Sequence, residues 1–151
     1  MADITQENIL AALKTVKDGD IDIVSASIYD DTVAWYENDG AADPTWTAAD
    51  ITTSADFATG IYVGDMDGDG DMDIAGSSGD DDSISVYEND GAVNPTWTKT
   101  VINTTADRVD DVHFADLDGD GDLDIISAAT NDDTIAWYEN ACDGSDPIVL
   151  D

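Results

Sequence analysis

The sequence predicts an all-β fold, a β-propeller architecture with about three four-stranded blades per chain. The main observation is a 51-residue repeat, in which the same residues return in register at Tyr36, Tyr87 and Tyr138. A repeat of about 50 residues that contains short strand-like segments is typical of propeller blades. Blades bury their faces only against neighbouring blades, so the period also predicts a need for partners. We treat the chain as one domain, 1–151, with repeats of about 1–51, 52–102 and 103–151.

The second repeat shows the plan of one blade. Alternating apolar and polar residues predict half-buried strands, and clusters of Asp, Asn and Gly between them predict turns. The predicted strands are residues 60–64, 74–77, 83–88 and 96–102. Residues 89–91 (Asn-Asp-Gly) form a hairpin-type turn, because these residue types tolerate positive φ.

The other two repeats follow this plan with one change each. In the third repeat we predict strands at residues 112–115, 125–128, 134–139 and 148–150, although the last of these lacks the Trp of repeats one and two. In the first repeat we predict strands at residues 22–26, 32–37 and 45–51. Its opening has apolar residues at a helical spacing, but the register aligns residues 9–13 with a strand, and we therefore expect a strand.

The composition excludes several classes of partner. The chain has 36 acidic and 4 basic residues, a formal charge of -32, and 42% hydrophobic residues. Phosphates would be repelled, so nucleic acid and anionic membranes are not expected partners. No apolar stretch is long enough to span a bilayer, and no signal peptide is visible. Cys142 is the sole cysteine, so no intramolecular disulfide is expected. Bound cations or a high-salt habitat would explain the charge.

Two nearly identical acidic segments carry the chemistry. Both have the pattern Asp-x-Asp-Gly-Asp-Gly-Asp-x-Asp. Their acidic residues are Asp65, Asp67, Asp69, Asp71 and Asp73 in one, and Asp116, Asp118, Asp120, Asp122 and Asp124 in the other. Ca²⁺ takes 6–8 oxygen ligands, so we predict that positions 1, 3, 5 and 9 supply carboxylates and position 7 a backbone carbonyl. Mg²⁺ prefers fewer carboxylates. The alternative is a solvated acidic turn, which leaves the repulsion between the carboxylates uncompensated.

Two other metal-site types do not fit these segments. An EF-hand requires a bidentate acid at position 12, where this chain has Gly76 or Ser127, and it requires flanking helices. Zinc is not expected, since no Cys or His lies near either segment.

The matching segment of the first repeat has lost part of the pattern. Positions 1 and 3 are Lys14 and Val16, while Asp18, Asp20 and Asp22 remain. We predict that this loop binds no metal and that the Lys14 ammonium pairs with Asp18 and Asp22 in place of an ion. The alternative is a solvated loop. The prediction is therefore two Ca²⁺ ions per chain.

The recurring aromatic residues have two interpretations. They could form a ligand-binding ring, or they could pack blade against blade, which the large area of each side chain favours. The residues concerned are Trp35, Tyr36, Trp46, Tyr87, Trp97, Trp137 and Tyr138. His113, the single histidine, aligns with a strand position and is expected to be a packed or edge residue rather than a catalytic base. No nucleophile elbow or phosphate-binding loop is present, so we do not expect an enzyme.

The Asp-x-Asp-Gly-Asp-Gly-x-x-Asp segment between two strands resembles the FG-GAP repeat, the Ca²⁺-binding blade of integrin α-subunit propellers. The longer pattern from Asp116 to Asn140 is similar to bacterial VCBS/FG-GAP-like repeats. The resemblance implies a β-propeller with Ca²⁺ in its blade loops. It also implies a role in adhesion, carbohydrate binding or scaffolding, outside the cell or at its surface.

Propellers of this family usually have six or seven blades, so three blades leave two faces uncovered. A homodimer that closes a six-bladed ring is favoured over a fragment of a longer polypeptide. We therefore expect a calcium-binding, non-catalytic module for adhesion, glycan or protein binding. The alternatives are a hydrolase or lyase fragment on a propeller scaffold and a purely structural halophilic module.

Overall fold

The computed structural model describes residues 11–15 and 21–140, with side chains from residue 22 onward. The described part is all-β and contains no helix, which confirms the predicted class. Its strands are β1 (Ala11–Thr15), β2 (Ile21–Ser27), β3 (Thr32–Asn38), β4 (Trp46–Thr52), β5 (Ala58–Gly64), β6 (Asp73–Ser78), β7 (Ser83–Asn89), β8 (Trp97–Asn103), β9 (Val109–Ala115), β10 (Asp124–Ala129) and β11 (Thr134–Tyr138). Within these ranges there is no helix of the length and apolarity that a bilayer crossing requires.

The strands form three separate antiparallel sheets, one for each repeat. Sheet 1 has the order β1-β2-β3-β4, sheet 2 the order β5-β6-β7-β8, and sheet 3 the order β9-β10-β11. Each sheet is a meander, because every strand pairs with the next one along the chain. The fourth strand predicted for the third repeat, at residues 148–150, lies outside the described residues. None of the sheets is closed.

The predicted strands agree with the observed ones, apart from small shifts at their ends. The first strands of sheets 2 and 3 begin earlier than predicted, at Ala58 and Val109. A bulge between Ala58 and Ile61 interrupts the alternation that the prediction relied on. At the start of the first repeat, β1 confirms a strand over a helix for Ala11–Thr15, whereas residues 9 and 10 are outside the description.

The pairing of β1 differs by one residue from that of its counterpart in sheet 2. Leu13 pairs with Ile23 and Lys14 with Asp22, whereas Val63 pairs with Ile74 and Gly64 with Asp73. The 51-residue register would place Ala12, not Leu13, opposite Ile23. Lys14 therefore lies in the strand directly opposite Asp22, and not at the first position of the following loop. The pairing of the Lys14 ammonium with Asp18 and Asp22 in place of an ion remains a prediction, as does a loop without metal. Val16, Asp18 and Asp20 lie outside the described residues.

Two apolar clusters lie between the sheets and hold them together. One joins sheets 1 and 2 through side chains that include Val33, Trp35, Ile74 and Tyr87. The other joins sheets 2 and 3 through residues that include Ile84, Val86, Val109, Phe114 and Ile125. Burial of apolar area stabilises this stack by about 25 cal/mol per Å². The sheets approach closely at Gly60, where an added Cβ would lie 2.8 Å from the Cα of Asp111.

The aromatic residues divide between packing and exposure. Tyr87 and Trp35 are buried in the first cluster, and Trp97 packs against it, as predicted for aromatic residues between blades. Tyr36 and Tyr138 are half-buried. Trp46 and Trp137 are exposed, contrary to the packing interpretation. Trp46 lies on the outermost strand of its sheet, and among the described residues no sheet neighbours the face that carries Trp137.

Candidate metal centre

Both acidic segments connect the first strand of a sheet to the second. In sheet 2 the segment runs from the end of β5 to the start of β6, and in sheet 3 from the end of β9 to the start of β10. Each loop is therefore short and anchored at both ends by paired strands. This anchoring fixes the path of the backbone and forces the intervening carboxylates into a small volume.

Glycines at positions 4 and 6 of each loop allow the tight curl. Their φ angles are +77° at Gly68, +96° at Gly70, +85° at Gly119 and +106° at Gly121. No atom lies within 4 Å of an added Cβ at any of these four positions, so backbone conformation, not space, selects glycine there.

The carboxylates at positions 3 and 5 bind the backbone of their own loop. In sheet 2, Asp67 accepts from the N–H of Asp69 at 3.1 Å, and Asp69 accepts from the N–H of Asp71 at 2.8 Å. In sheet 3, the matching bonds link Asp118 to Asp120 at 3.0 Å and Asp120 to Asp122 at 2.9 Å. These Asx turns keep one oxygen of each carboxylate on the backbone.

Position 9 has a different role, which sequence reasoning missed. Asp73 is almost fully buried and accepts two backbone N–H bonds, from Met66 at 2.8 Å and from Asn89 at 2.9 Å. Asp124 does the same with Leu117 at 2.9 Å and Asn140 at 2.9 Å. The position-9 aspartate thus ties the start of the loop to the end of the third strand.

The first sheet supports this structural role. Asp22 is buried and accepts the N–H of Asn38 at 2.9 Å, which matches the bonds to Asn89 and Asn140. The sequence of this loop has lost the carboxylates at positions 1 and 3, yet it keeps Asp22. The position-9 carboxylate is therefore useful to the fold even where positions 1 and 3 have been replaced.

The asparagine at or just after the end of the third strand, Asn89 in sheet 2 and Asn140 in sheet 3, also contributes to the site. The side-chain amide of Asn89 donates to the carbonyl of Met72 at 3.3 Å, and that of Asn140 donates to Leu123 at 3.2 Å. Asn140 also donates to the carbonyl of Met66 at 2.9 Å, which links sheet 3 to the loop of sheet 2. The 51-residue recurrence of Asn after Tyr-Glu was the signal that could have identified this role.

Three carboxylates converge in each loop, but the set differs between the two. In sheet 2 they belong to Asp65, Asp67 and Asp73, and in sheet 3 to Asp116, Asp118 and Asp120, with one oxygen of each within 4.8 Å of the others. Asp69 and Asp124 lie outside these groups, and so do Asp71 and Asp122. The sheet 3 group is exposed, whereas the sheet 2 group is partly buried.

Asp65 gives the clearest test of whether these residues fit a cation. Its Oδ2 accepts the N–H of Gly70 at 3.1 Å, but its Oδ1 is buried and has no hydrogen-bond partner in the part of the chain that the structure describes. A buried carboxylate oxygen is costly unless a donor or a cation compensates it. The residues present therefore fit a hard cation such as Ca²⁺, which binds carboxylate oxygens.

The electrostatics of the loops agree with this fit. Burial raises the pKa of Asp73 to about 7, even though its two N–H donors act in the opposite direction. Burial, reinforced by the charges of Asp69 and Asp65, raises the pKa of Asp67. Desolvation and the charge of the neighbouring Asp120 raise the pKa of Asp122. A bound divalent cation would reverse these shifts, because it favours the charged form of each carboxylate.

His113 lies on β9, an edge strand of sheet 3 as described, in agreement with the prediction of a packed or edge histidine. Its ring centroid is 4.6 Å from that of Tyr62, and its Nε2 is 3.8 Å from a carboxylate oxygen of Asp111. The imidazole is more than half exposed. It lies on the strand that precedes the acidic loop of sheet 3, but it does not belong to the group of converging side chains, Asp116, Asp118 and Asp120.

Comparison with known proteins supports the resemblance noted from the loops. A model of the FG-GAP-like repeat matches residues 17–76 and again residues 76–127. The first match includes the loop of sheet 2, and the second includes the loop of sheet 3. No curated protein and no solved structure gave a match. Because the two matches cover most of the sequence, the chain belongs to the FG-GAP-like repeat family.

Proposed function

We propose that this chain is a non-catalytic binding module of the propeller type whose acidic loops are stabilised by Ca²⁺. The observation that carries the calcium proposal is the orphaned Oδ1 of Asp65 within a group of three converging carboxylates. A bound Ca²⁺ would compensate this oxygen and the mutual repulsion of the loop carboxylates. Asp65, Asp67 and Asp73 would hold the ion in sheet 2, and Asp116, Asp118 and Asp120 would hold it in sheet 3.

The role of the ion would be structural. Each loop lies between two strands of a sheet, and its position-9 carboxylate already contacts the end of a third strand. An ion at positions 1 and 3 would therefore fasten the loop to the sheet. At a calcium concentration 100-fold above its Kd, each site would stabilise the folded chain by about 2.7 kcal/mol.

The binding role follows from the family. FG-GAP-like repeats are typical of extracellular proteins, and sites in extracellular modules bind Ca²⁺ with Kd values of about 10⁻⁴–10⁻³ M. We propose that the module acts outside the cell, where calcium at such concentrations would keep the loops occupied. The partner would be a glycan or a protein, because the charge of -32 disfavours polyanions.

Calorimetric titration and thermal unfolding test the calcium proposal. We expect two Ca²⁺ per chain, a melting temperature that rises with calcium, and a smaller rise with Mg²⁺. The double variant Asp65→Asn/Asp116→Asn should lose both the calcium binding and the rise in melting temperature with calcium. The matched control Asp43→Asn/Asp50→Asn removes the same charge from exposed positions outside the loops and should keep them. Equal melting temperatures in calcium and EDTA, or loss of binding in the control, would contradict the proposal.

A glycan array and a pull-down with extracellular proteins test the binding role. Each is carried out in calcium and again in EDTA. We expect binding in calcium that is weakened by chelation. If calcium stabilises the chain but neither assay finds a partner, the chain is a structural module.

A further inference from the structure

We propose that the outer face of sheet 3 is a docking surface for sheet 1 of a second copy of this chain. This inference does not depend on calcium binding. The open face consists of Leu117, Ile126, Ile135 and Trp137. Their counterparts 51 residues earlier are Met66, Ala75, Ile84 and Val86, all members of the cluster between sheets 2 and 3.

The face formed by these repeat positions is covered in sheet 2, in the middle of the stack, and uncovered in sheet 3, at its end. Ile84 and Val86 are 0% exposed, whereas Ile135 and Trp137 are 76% and 49% exposed. Sheet 1 repeats the covered arrangement, because its equivalent residues Val33 and Trp35 are buried against sheet 2. The difference in exposure arises because sheet 3 has no following sheet among residues 11–15 and 21–140.

The opposite end of the stack carries the complementary face. Sheet 2 packs on sheet 1 through Ile74 and Tyr87. Sheet 3 packs on sheet 2 through Ile125 and Tyr138. The equivalent residues of sheet 1 are Ile23 and Tyr36. Ile23 is only half-buried, whereas its counterparts Ile74 and Ile125 are 0% exposed. Each end of the described stack of sheets therefore presents half of the contact that the chain already makes twice within itself.

A second feature at the same end points to the same occupant. Asp31 and Asp82, both with positive φ, accept the backbone N–H of the segment that enters the next sheet, from Phe57 at 3.2 Å and from Arg108 at 3.1 Å. Asp133 has the same conformation, with φ of 53°, but no such segment reaches it within the described part of the chain.

The contact would be head to tail, from sheet 3 of one copy to sheet 1 of the other. If sheet 3 of each copy packs on sheet 1 of the other, the two contacts close a ring with twofold symmetry. The high negative charge opposes association, so salt and calcium should favour it through screening.

Light scattering after size-exclusion chromatography tests the proposal, in salt with calcium and in salt with EDTA. We expect twice the 15.9 kDa mass of one chain. The variant Ile135→Asp/Trp137→Asp should be monomeric while it keeps its far-UV circular dichroism. The control Val93→Asp/Val101→Asp adds the same charge at exposed apolar positions outside the open face and should stay dimeric. A monomeric wild-type chain, or a monomeric control, would overturn the proposal.

A mixing experiment distinguishes head-to-tail contact from contact between two copies of sheet 3. Tyr36→Asp alters only sheet 1, and Ile135→Asp/Trp137→Asp alters only sheet 3. In a head-to-tail dimer each variant alone is monomeric, and a mixture of the two forms a heterodimer through its one intact contact. If Tyr36→Asp alone remains a dimer, or if the mixture stays monomeric, the second copy's sheet 1 is not the occupant.

Discussion

Replacement of Asp73 by Ala tests whether position 9 is a structural clamp or only a metal ligand. Asp73 accepts the backbone N–H groups of Met66 and Asn89, both in buried bonds, so the variant leaves two donors unsatisfied. An unsatisfied buried group costs about 1–3 kcal/mol, so the pair costs about 2–6 kcal/mol. Loss of a carboxylate whose burial is itself unfavourable, as its raised pKa indicates, offsets part of this cost. We expect a net loss of about 2–4 kcal/mol in the free energy of unfolding.

The matched variant is Asp67→Ala, at position 3 of the same loop. Asp67 accepts one exposed bond, from Asp69 at 3.1 Å, and its charge is disfavoured by its neighbours. In EDTA we expect this variant to change stability by less than about 1 kcal/mol, whereas in calcium it should remove the stabilisation by the ion. Asp73→Ala should destabilise the chain in both conditions.

The assay is thermal unfolding followed by circular dichroism, with urea unfolding as a second measurement. For a chain of this size, about 2–4 °C of melting temperature corresponds to 1 kcal/mol, so Asp73→Ala should lower it by about 4–16 °C in EDTA. The reasoning would be refuted if Asp73→Ala were neutral in EDTA, or if Asp67→Ala were equally destabilising there.

Three further predictions concern stability and use urea unfolding in EDTA. Ile84→Ala should cost about 2–4 kcal/mol because it opens a cavity between sheets, whereas Ile135→Ala, measured where the chain is monomeric, should cost less than about 0.5 kcal/mol. Asp82→Ala should cost about 1 kcal/mol more than Asp133→Ala, because both strain the backbone at positive φ but only the first loses a bond to the next sheet. Gly70→Ala should cost about 1–2 kcal/mol through its φ of +96° alone, since its Cβ would meet no atom within 4 Å. Equal costs within either pair, or a neutral Gly70→Ala, would contradict the respective argument.

The sequence by itself determined the strand positions, the three repeats and the loops that gather carboxylates. Strand position follows from local alternation and turn residues, and a repeat of such patterns is visible without coordinates. In the second repeat, for example, the strands predicted at 74–77 and 83–88 were observed at Asp73–Ser78 and Ser83–Asn89.

Only the tertiary structure decided which residues of the repeat share a role. Asp73 has the same residue type as Asp67, yet its carboxylate binds two distant backbone groups, because β7 ends beside the loop. Likewise Ile84 and Ile135 occupy the same position of the repeat, but within residues 11–15 and 21–140 only Ile84 has a sheet against it. Burial and hydrogen bonding depend on what lies across space from a residue, and neither periodicity nor composition records that neighbour.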